Sequence, residues 1–191
     1  MFILKNKYFL IIKNIKDINL SDIKRYNKFL IIYRNNKNIN NIKDLLNFRK
    51  KCKLKFIRFF VANDLKLAIK LNADGIYLSS KNKEFKPLNV RRNNFDIIGS
   101  AHNSKEIHLK EKQQCKYILL SKLFTVDYDK KAYTLGPVKF NKFTQNSKNK
   151  LVPLGGIKLS NLNYLKIIKS EGFAVLSEIK KKPVKIINRL F

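Results

Sequence analysis

Carboxylates, cysteines, glycines, prolines and long apolar runs are all scarce in this chain of 191 residues, and each scarcity removes a class of protein. The two cysteines, Cys52 and Cys115, lie far apart without metal-ligand spacing. That excludes a disulfide framework and a zinc site, and free, reduced, structural thiols are expected. No apolar stretch reaches the ~20 residues of a bilayer-spanning helix. The N-terminal M-F-I-L-K-N-K-Y-F-L-I-I-K is interrupted by Lys5, Lys7 and Lys13 and lacks a small-residue cleavage site, so it reads as a first strand and the location as cytoplasmic. With 6 glycines and 4 prolines there is no flexible linker and no internal repeat. One domain over residues 1–191 is expected, its 45% hydrophobic content enough for a full core. Nucleophile elbows and Walker loops are missing too.

What is abundant is positive charge. The 42 Lys and Arg outweigh 13 Asp and Glu, a net +29. Such an excess fits nucleic acid, where basic groups release counterions from phosphates. Yet the cations run evenly from Lys5 to Arg189, interleaved with Asn and Ile. Lys, Asn and Ile share A/T-rich codons, so compositional drift accounts for the excess and a nucleic-acid partner is not expected. Attraction for small anionic substrates remains.

Apolar runs alternate with helical patterns along the chain. Strands are expected at 8–13, 29–34, 55–62, 75–78, 96–99, 117–121, 152–157 and 172–177. Helices are expected at 21–27, from 42 through Arg49, after Asp64, from a cap at Ser104 to Gln114, over 137–143, from Ser160, and at 183–190 behind Pro183. The polar stretch 82–94, with Pro87, Arg91 and Arg92, replaces a regular helix. Eight alternations give an α/β fold, a (βα)8 TIM barrel in a single compact domain. At 191 residues it is short for a barrel of about 250, so trimmed loops and a vestigial helix are expected.

In such a barrel, function gathers at the C-terminal strand ends. V-P-L-G-G-I (152–157) and G-F-A-V-L-S (172–177) end strands 7 and 8, where Gly155 and Gly156 bare backbone N–H groups and Ser177 adds a hydroxyl. Together they make an anion cradle of the kind that holds phosphate in barrels. Other strand-end candidates are Arg34, Asn63, Asp64, Tyr77 to Ser80, Ser100, His102, Ser121 and Lys122. A single carboxylate among hydroxyls, amides and cations suits a small phosphorylated substrate better than acid and base work by paired carboxylates. His102 reads as a residue at the start of a helix, because no carboxylate partner is identifiable for it. Strand 2 is expected to lie across the mouth from strands 7 and 8, which would keep Arg34 away from the cradle.

The residues resemble the thiamine-phosphate synthase/TenI superfamily. D-L-K-L-A-I-K-L-N-A-D-G-I-Y-L (64–78) is similar to the stretch leading into A-D-G-V-H-L, and G-S-A-H-N-S (99–104) to G-x-S-x-H-S. Y-I-L-L-S-K-L-F (117–124) and L-G-P-V-K-F (135–140) resemble Y-x-x-x-G-P-V-F and L-G-x-x-x-L. The two glycine-bearing strand ends resemble P-V-x-A-x-G-G-I and G-x-A-V-x-S, and order and spacing hold over 29–179, closest to a short, divergent branch.

The resemblance implies a transferase that joins a hydroxymethylpyrimidine diphosphate to a thiazole phosphate and releases pyrophosphate, with Mg²⁺ on the diphosphate. It places Gly155, Gly156 and Ser177 at the thiazole phosphate, and Arg34 and Ser100 at the diphosphate. Asn63 and Asp64 resemble the family's N-D, whose aspartate binds magnesium, but both stand one residue out of register, and Lys130 matches a diphosphate lysine reached through one inserted residue. Lys122 stands where tautomerase-type relatives carry a proton-transfer histidine. The chain departs from the pattern at Ile32, Asn36, Asn82 and 126–129, so the metal and diphosphate half looks eroded beside an intact thiazole-phosphate half. A catalytically reduced binding protein or tautomerase relative stays open as the alternative, and RNA binding as a third reading. The oligomeric state is not legible.

Overall fold

The computed structural model describes residues 5–23, 26–34, 40–90, 93–127, 129, 131 and 133–176. Eight parallel strands close into a barrel in sequence order, with β8 returning to β1. They are β1 (Lys7–Ile12), β2 (Phe29–Tyr33), β3 (Arg58–Ala62), β4 (Gly75–Leu78), β5 (Asp96–Ala101), β6 (Tyr117–Ser121), β7 (Lys150–Leu154) and β8 (Gly172–Val175). The α-helices among the described residues are α1 (Ile42–Leu54), α2 (Leu65–Lys70), α3 (Ser104–Lys112) and α4 (Gly136–Asn146). The expected (βα)8 barrel is the observed fold.

The period of two along each strand divides the core. Phe9, Ile11, Leu30, Ile32, Phe60 and Leu119 point inward and pack with Tyr77 and Tyr117 to fill the barrel. Their neighbours Tyr8, Leu10, Ile31, Phe59, Val61 and Ile118 point outward beneath the helices. Inward residues at the C-terminal strand ends therefore surround a packed plug rather than a pore.

Several local expectations change. Among the described residues of 21–27 there is no α-helix: short 3-10 turns stand at Leu20–Asp22 and Tyr26–Lys28. Asn19 accepts the Ser21 N–H at 3.1 Å, one of the local side-chain bonds by which Asn and Asp compete with helix formation. β3 begins only at Arg58, because the chain is still closing α1: Lys55 N–H bonds back to Cys52 O at 3.1 Å and Phe56 turns at φ +52°. Asn103, not Ser104, caps α3, accepting the Glu106 N–H at 2.9 Å. β7 stops at Leu154, and the crossover to β8 is a 3-10 segment, Leu159–Ile167, rather than an α-helix opened at Ser160. The helix expected at 183–190 lies outside the described residues.

Among the described residues between β4 and β5 there is no α-helix, as the polar connection implies, and a 3-10 turn, Lys86–Asn89, stands there. Side chains from α3 hold this connection instead. Lys110, fully buried against Gly99 of β5, donates to the Asn82 carbonyl at 2.7 Å and to Gln113 Oε1 at 2.8 Å. Gln113 Nε2 donates to Glu84 O at 2.8 Å. Burial lowers the pKa of the Lys110 ammonium, and its two acceptors offset the desolvation. Both thiols are buried and free, each pushed up to about 12 by burial.

Candidate phosphate-binding site at the barrel mouth

A cavity of about 220 Å³ opens at the C-terminal end of the barrel, floored by Ile11, Leu154 and Ala174. Arg34, following β2, His102, following β5, and Lys122, following β6, enter it from three sides. Gly155, Gly156 and Lys158 enter from the loop after β7. Sequence reasoning separated Arg34 from the glycines, and the structure corrects this: all three line one cavity. In the closed barrel only β1 stands between β2 and β8, so a long side chain after β2 reaches the β7–β8 side.

Gly155 and Gly156 turn at φ +93° and +68°, a region only glycine enters without strain. Among the described residues the N–H groups of Gly156 and Ile157 make no hydrogen bond, which leaves two donors for an anion. Glycine at 156 has a second cause that sequence reasoning did not reach. A Cβ there would lie 2.4 Å from Phe124 O and 2.5 Å from Thr125 O, so it admits the neighbouring loop as much as a ligand. That loop is pinned at its base by Phe124 N–H to Gly155 O at 3.0 Å and Leu135 N–H to Lys122 O at 2.9 Å.

Its tip supplies counter-charge. Lys122 Nζ donates to Asp129 Oδ2 at 2.7 Å, and Lys158 Nζ donates to Asp127 Oδ1. The sequence reading missed Lys158, although its place directly after the G-G-I turn was the available signal. It also left His102 without a partner. The structure gives it Glu106, whose Oε2 accepts the His102 backbone N–H at 2.7 Å and stands 3.0 Å from Nδ1. The i, i+4 spacing was the signal for that pair.

The remaining candidates scatter. Ser100 is buried inside the barrel beside Tyr77, whose hydroxyl pKa is raised by burial against the opposing hydrogen bond from Ser100 and the charge of Arg34. Asn63, at φ +59°, ties the ends of β3 and β4 together by accepting the Ser79 N–H at 2.9 Å. Lys130 and Ser177 lie outside the described residues.

Asp64 Oδ1 caps α2 by accepting the Leu67 N–H at 2.8 Å, and Asp64 faces a cleft lined by Tyr33, Leu45 and Leu67, separate from the mouth. Asn82 Oδ1 accepts the Glu84 N–H at 2.9 Å. Magnesium prefers carboxylate oxygens. It is held through one or two carboxylates together with substrate phosphates, and the two positions where the resemblance places them are an aspartate that caps α2 outside the mouth and an amide, so these residues do not fit the magnesium that the family resemblance implied.

Fold and cavity define this chain as a (βα)8 barrel whose mouth, cation-rich and glycine-lined, suits a phosphorylated small molecule. The thiamine monophosphate synthase family model matches residues 23–179, and the chain belongs to that family. It is similar to a thiamine-phosphate synthase of Latilactobacillus sakei, 30% identical over 67% of this chain and 58% of that one. A Prochlorococcus marinus relative of the same name is 30% identical over 65% of this chain and 36% of its own length, so the chain spans less than two thirds of these two proteins. The Pelagibacter ubique thiamine-phosphate synthase is 28% identical over 92% of this chain and 91% of that one. Among solved structures, thiamine phosphate pyrophosphorylase from Pyrococcus furiosus superposes at TM-score 0.76 with 19% identity, covering 97% of this chain and 93% of that one. Phosphoribosyl anthranilate isomerase from Thermotoga maritima superposes at 0.69 with 14% identity, covering 96% of each. At those identities the likeness shows the fold. Among the described residues no helix is long and apolar enough to cross a membrane.

Proposed function

We propose that this chain, as one barrel domain over residues 1–191, is a thiamine-phosphate synthase that joins hydroxymethylpyrimidine diphosphate to thiazole phosphate with release of pyrophosphate. The observation that carries the reading is the single cavity that gathers Arg34, Lys122, Gly155 and Gly156. The amides of Gly156 and Ile157 hold the thiazole phosphate, with the Ser177 hydroxyl completing that cradle. Arg34 and Lys122 face the diphosphate, where a preorganised cation stabilises charge as it collects on the leaving group. Lys130 joins them from the loop after β6. Ser100 acts as a positioning residue, holding the Tyr77 hydroxyl near Arg34, and Asn63 fixes the β3 and β4 ends. The apolar floor aligns two rings for attack by proximity. Two free buried thiols accord with a cytoplasmic location.

Incubation of the purified chain with both substrates tests the proposal: thiamine phosphate and pyrophosphate form in equal amounts, and neither substrate alone yields either. Folded protein that shifts its melting temperature with thiazole phosphate yet releases no pyrophosphate would replace the synthase with a binding protein.

A further inference from the structure

A diphosphate brought into a barrel mouth loses hydration, and its charge must be matched there by cations. The carboxylates that could hold a divalent ion are committed elsewhere. Asp74, Asp96 and Glu171 pair with Arg49, Arg58 and Lys150 at the opposite end of the barrel. Asp64 caps α2 away from the cavity, and position 82 carries an amide. Asp127 reaches the cavity but is held by Lys158. In contrast, Arg34, Lys122 and Lys158 all enter the cavity, and among the described residues Arg34 has no carboxylate partner. Lys122 pairs with Asp129 and Lys158 with Asp127, and both carboxylates are about half exposed on the loop after β6. Exposed pairs of that kind exchange readily for a more highly charged anion.

We propose that this mouth binds diphosphate without a metal ion: Arg34, Lys122 and Lys158 neutralise it directly, and Asp127 and Asp129 hold the two lysines until the diphosphate displaces them. The inference rests on the synthase reading for the identity of its ligand, and it departs from the magnesium that the family resemblance implied. Charge-assisted hydrogen bonds from two or three side chains supply the compensation that a divalent ion would otherwise give.

Calorimetric titration of inorganic pyrophosphate into the full chain, once in EDTA and once in excess Mg²⁺, tests it. The Kd in EDTA is expected to lie within about threefold of the Kd with magnesium, or below it. In EDTA, Arg34→Ala and Lys158→Ala each weaken binding by about tenfold, the loss of one charge-assisted hydrogen bond. The double variant Asp127→Asn, Asp129→Asn, isosteric and on the surface, tightens it by about threefold, because the internal competitor is gone. Binding that needs magnesium, binding untouched by Arg34→Ala and Lys158→Ala, or no binding in either buffer overturns the proposal. The same chain assayed with both substrates separates the two readings. Product formation by a chain whose pyrophosphate binding needs magnesium would overturn metal-free binding and leave the synthase, whereas tight metal-free pyrophosphate binding without product would do the reverse.

Discussion

The two ends of this barrel use charge in opposite ways. At the N-terminal end, acidic residues at strand starts are stitched to cations. Asp74 accepts from Arg49 at 2.9 Å and from the Phe59 N–H at 2.7 Å, and Asp96 pairs with Arg58 and with Lys116 at 2.9 Å. In the cavity at the C-terminal end Arg34, Lys122 and Lys158 outnumber the one lining carboxylate, Asp127, which sits on the loop after β6. Identical residue types thus fix the sheet at one end and stand ready for an anion at the other. A pair that is half buried between strand ends cannot exchange its partner without breaking the sheet, and one at an open mouth can.

The comparison breaks most visibly at Asp74. Asp74→Ala leaves Arg49, a side chain only 10% exposed, without its partner and strips an acceptor from the start of β3. A loss of about 3 kcal/mol in unfolding free energy is expected. Thiazole phosphate affinity should remain unchanged in calorimetry of the folded variant. A fall in affinity as large as the fall in stability would erase the division between the two ends.

Next in size comes Gly156→Val. A side chain at φ +68° against two carbonyl oxygens costs about 2 kcal/mol, and it displaces the Phe124–Thr125 backbone, whose loop lines the cavity through Val126 and Asp127. Both urea stability and phosphate binding should drop. Retained binding would mean that the G-G pair is a turn serving its neighbouring loop alone.

How much of this was legible in advance depends on what each residue has to satisfy. β4 reads directly from Gly75–Leu78 because a buried parallel strand is an unbroken apolar run between polar ends. The glycine pair after β7 was visible for the same kind of reason, since left-handed turns demand it. Asn-rich segments misled, as around Asn19, whose side chain bonds the local backbone and where the described residues form 3-10 turns. Asp64 was ambiguous by one position, and one position separates a residue facing the mouth from one capping a helix. The convergence of Arg34 with Gly156 depends on barrel closure, a three-dimensional fact without a local sequence signal.

Arg34→Ala is the converse of Asp74→Ala. Arg34 is half-exposed and, among the described residues, unpaired with any carboxylate, so its removal should leave unfolding free energy within about 0.5 kcal/mol. Thiazole phosphate affinity should fall by about tenfold, since the guanidinium shares the cavity with the glycine amides. Unchanged affinity would confine Arg34 to the diphosphate, apart from the thiazole phosphate.

The smallest effect expected is a pH dependence confined to the N-terminal end. Burial works to raise the Asp96 pKa, but hydrogen bonds and charge from Arg58 and Lys116 outweigh it and hold the carboxyl below its ordinary value. A folded pKa below the unfolded one means that the unfolded chain binds the proton more tightly. The stabilisation is therefore fully present above the unfolded value of about 4 and is lost as pH falls through the folded value. Asp96→Asn removes this contribution at every pH. Urea midpoints for both proteins at pH 5 and pH 3 should then differ at the higher pH and converge at the lower. A gap of the same width at both would show that Arg58 and Lys116 do not stabilise the fold through the ionised Asp96 carboxylate.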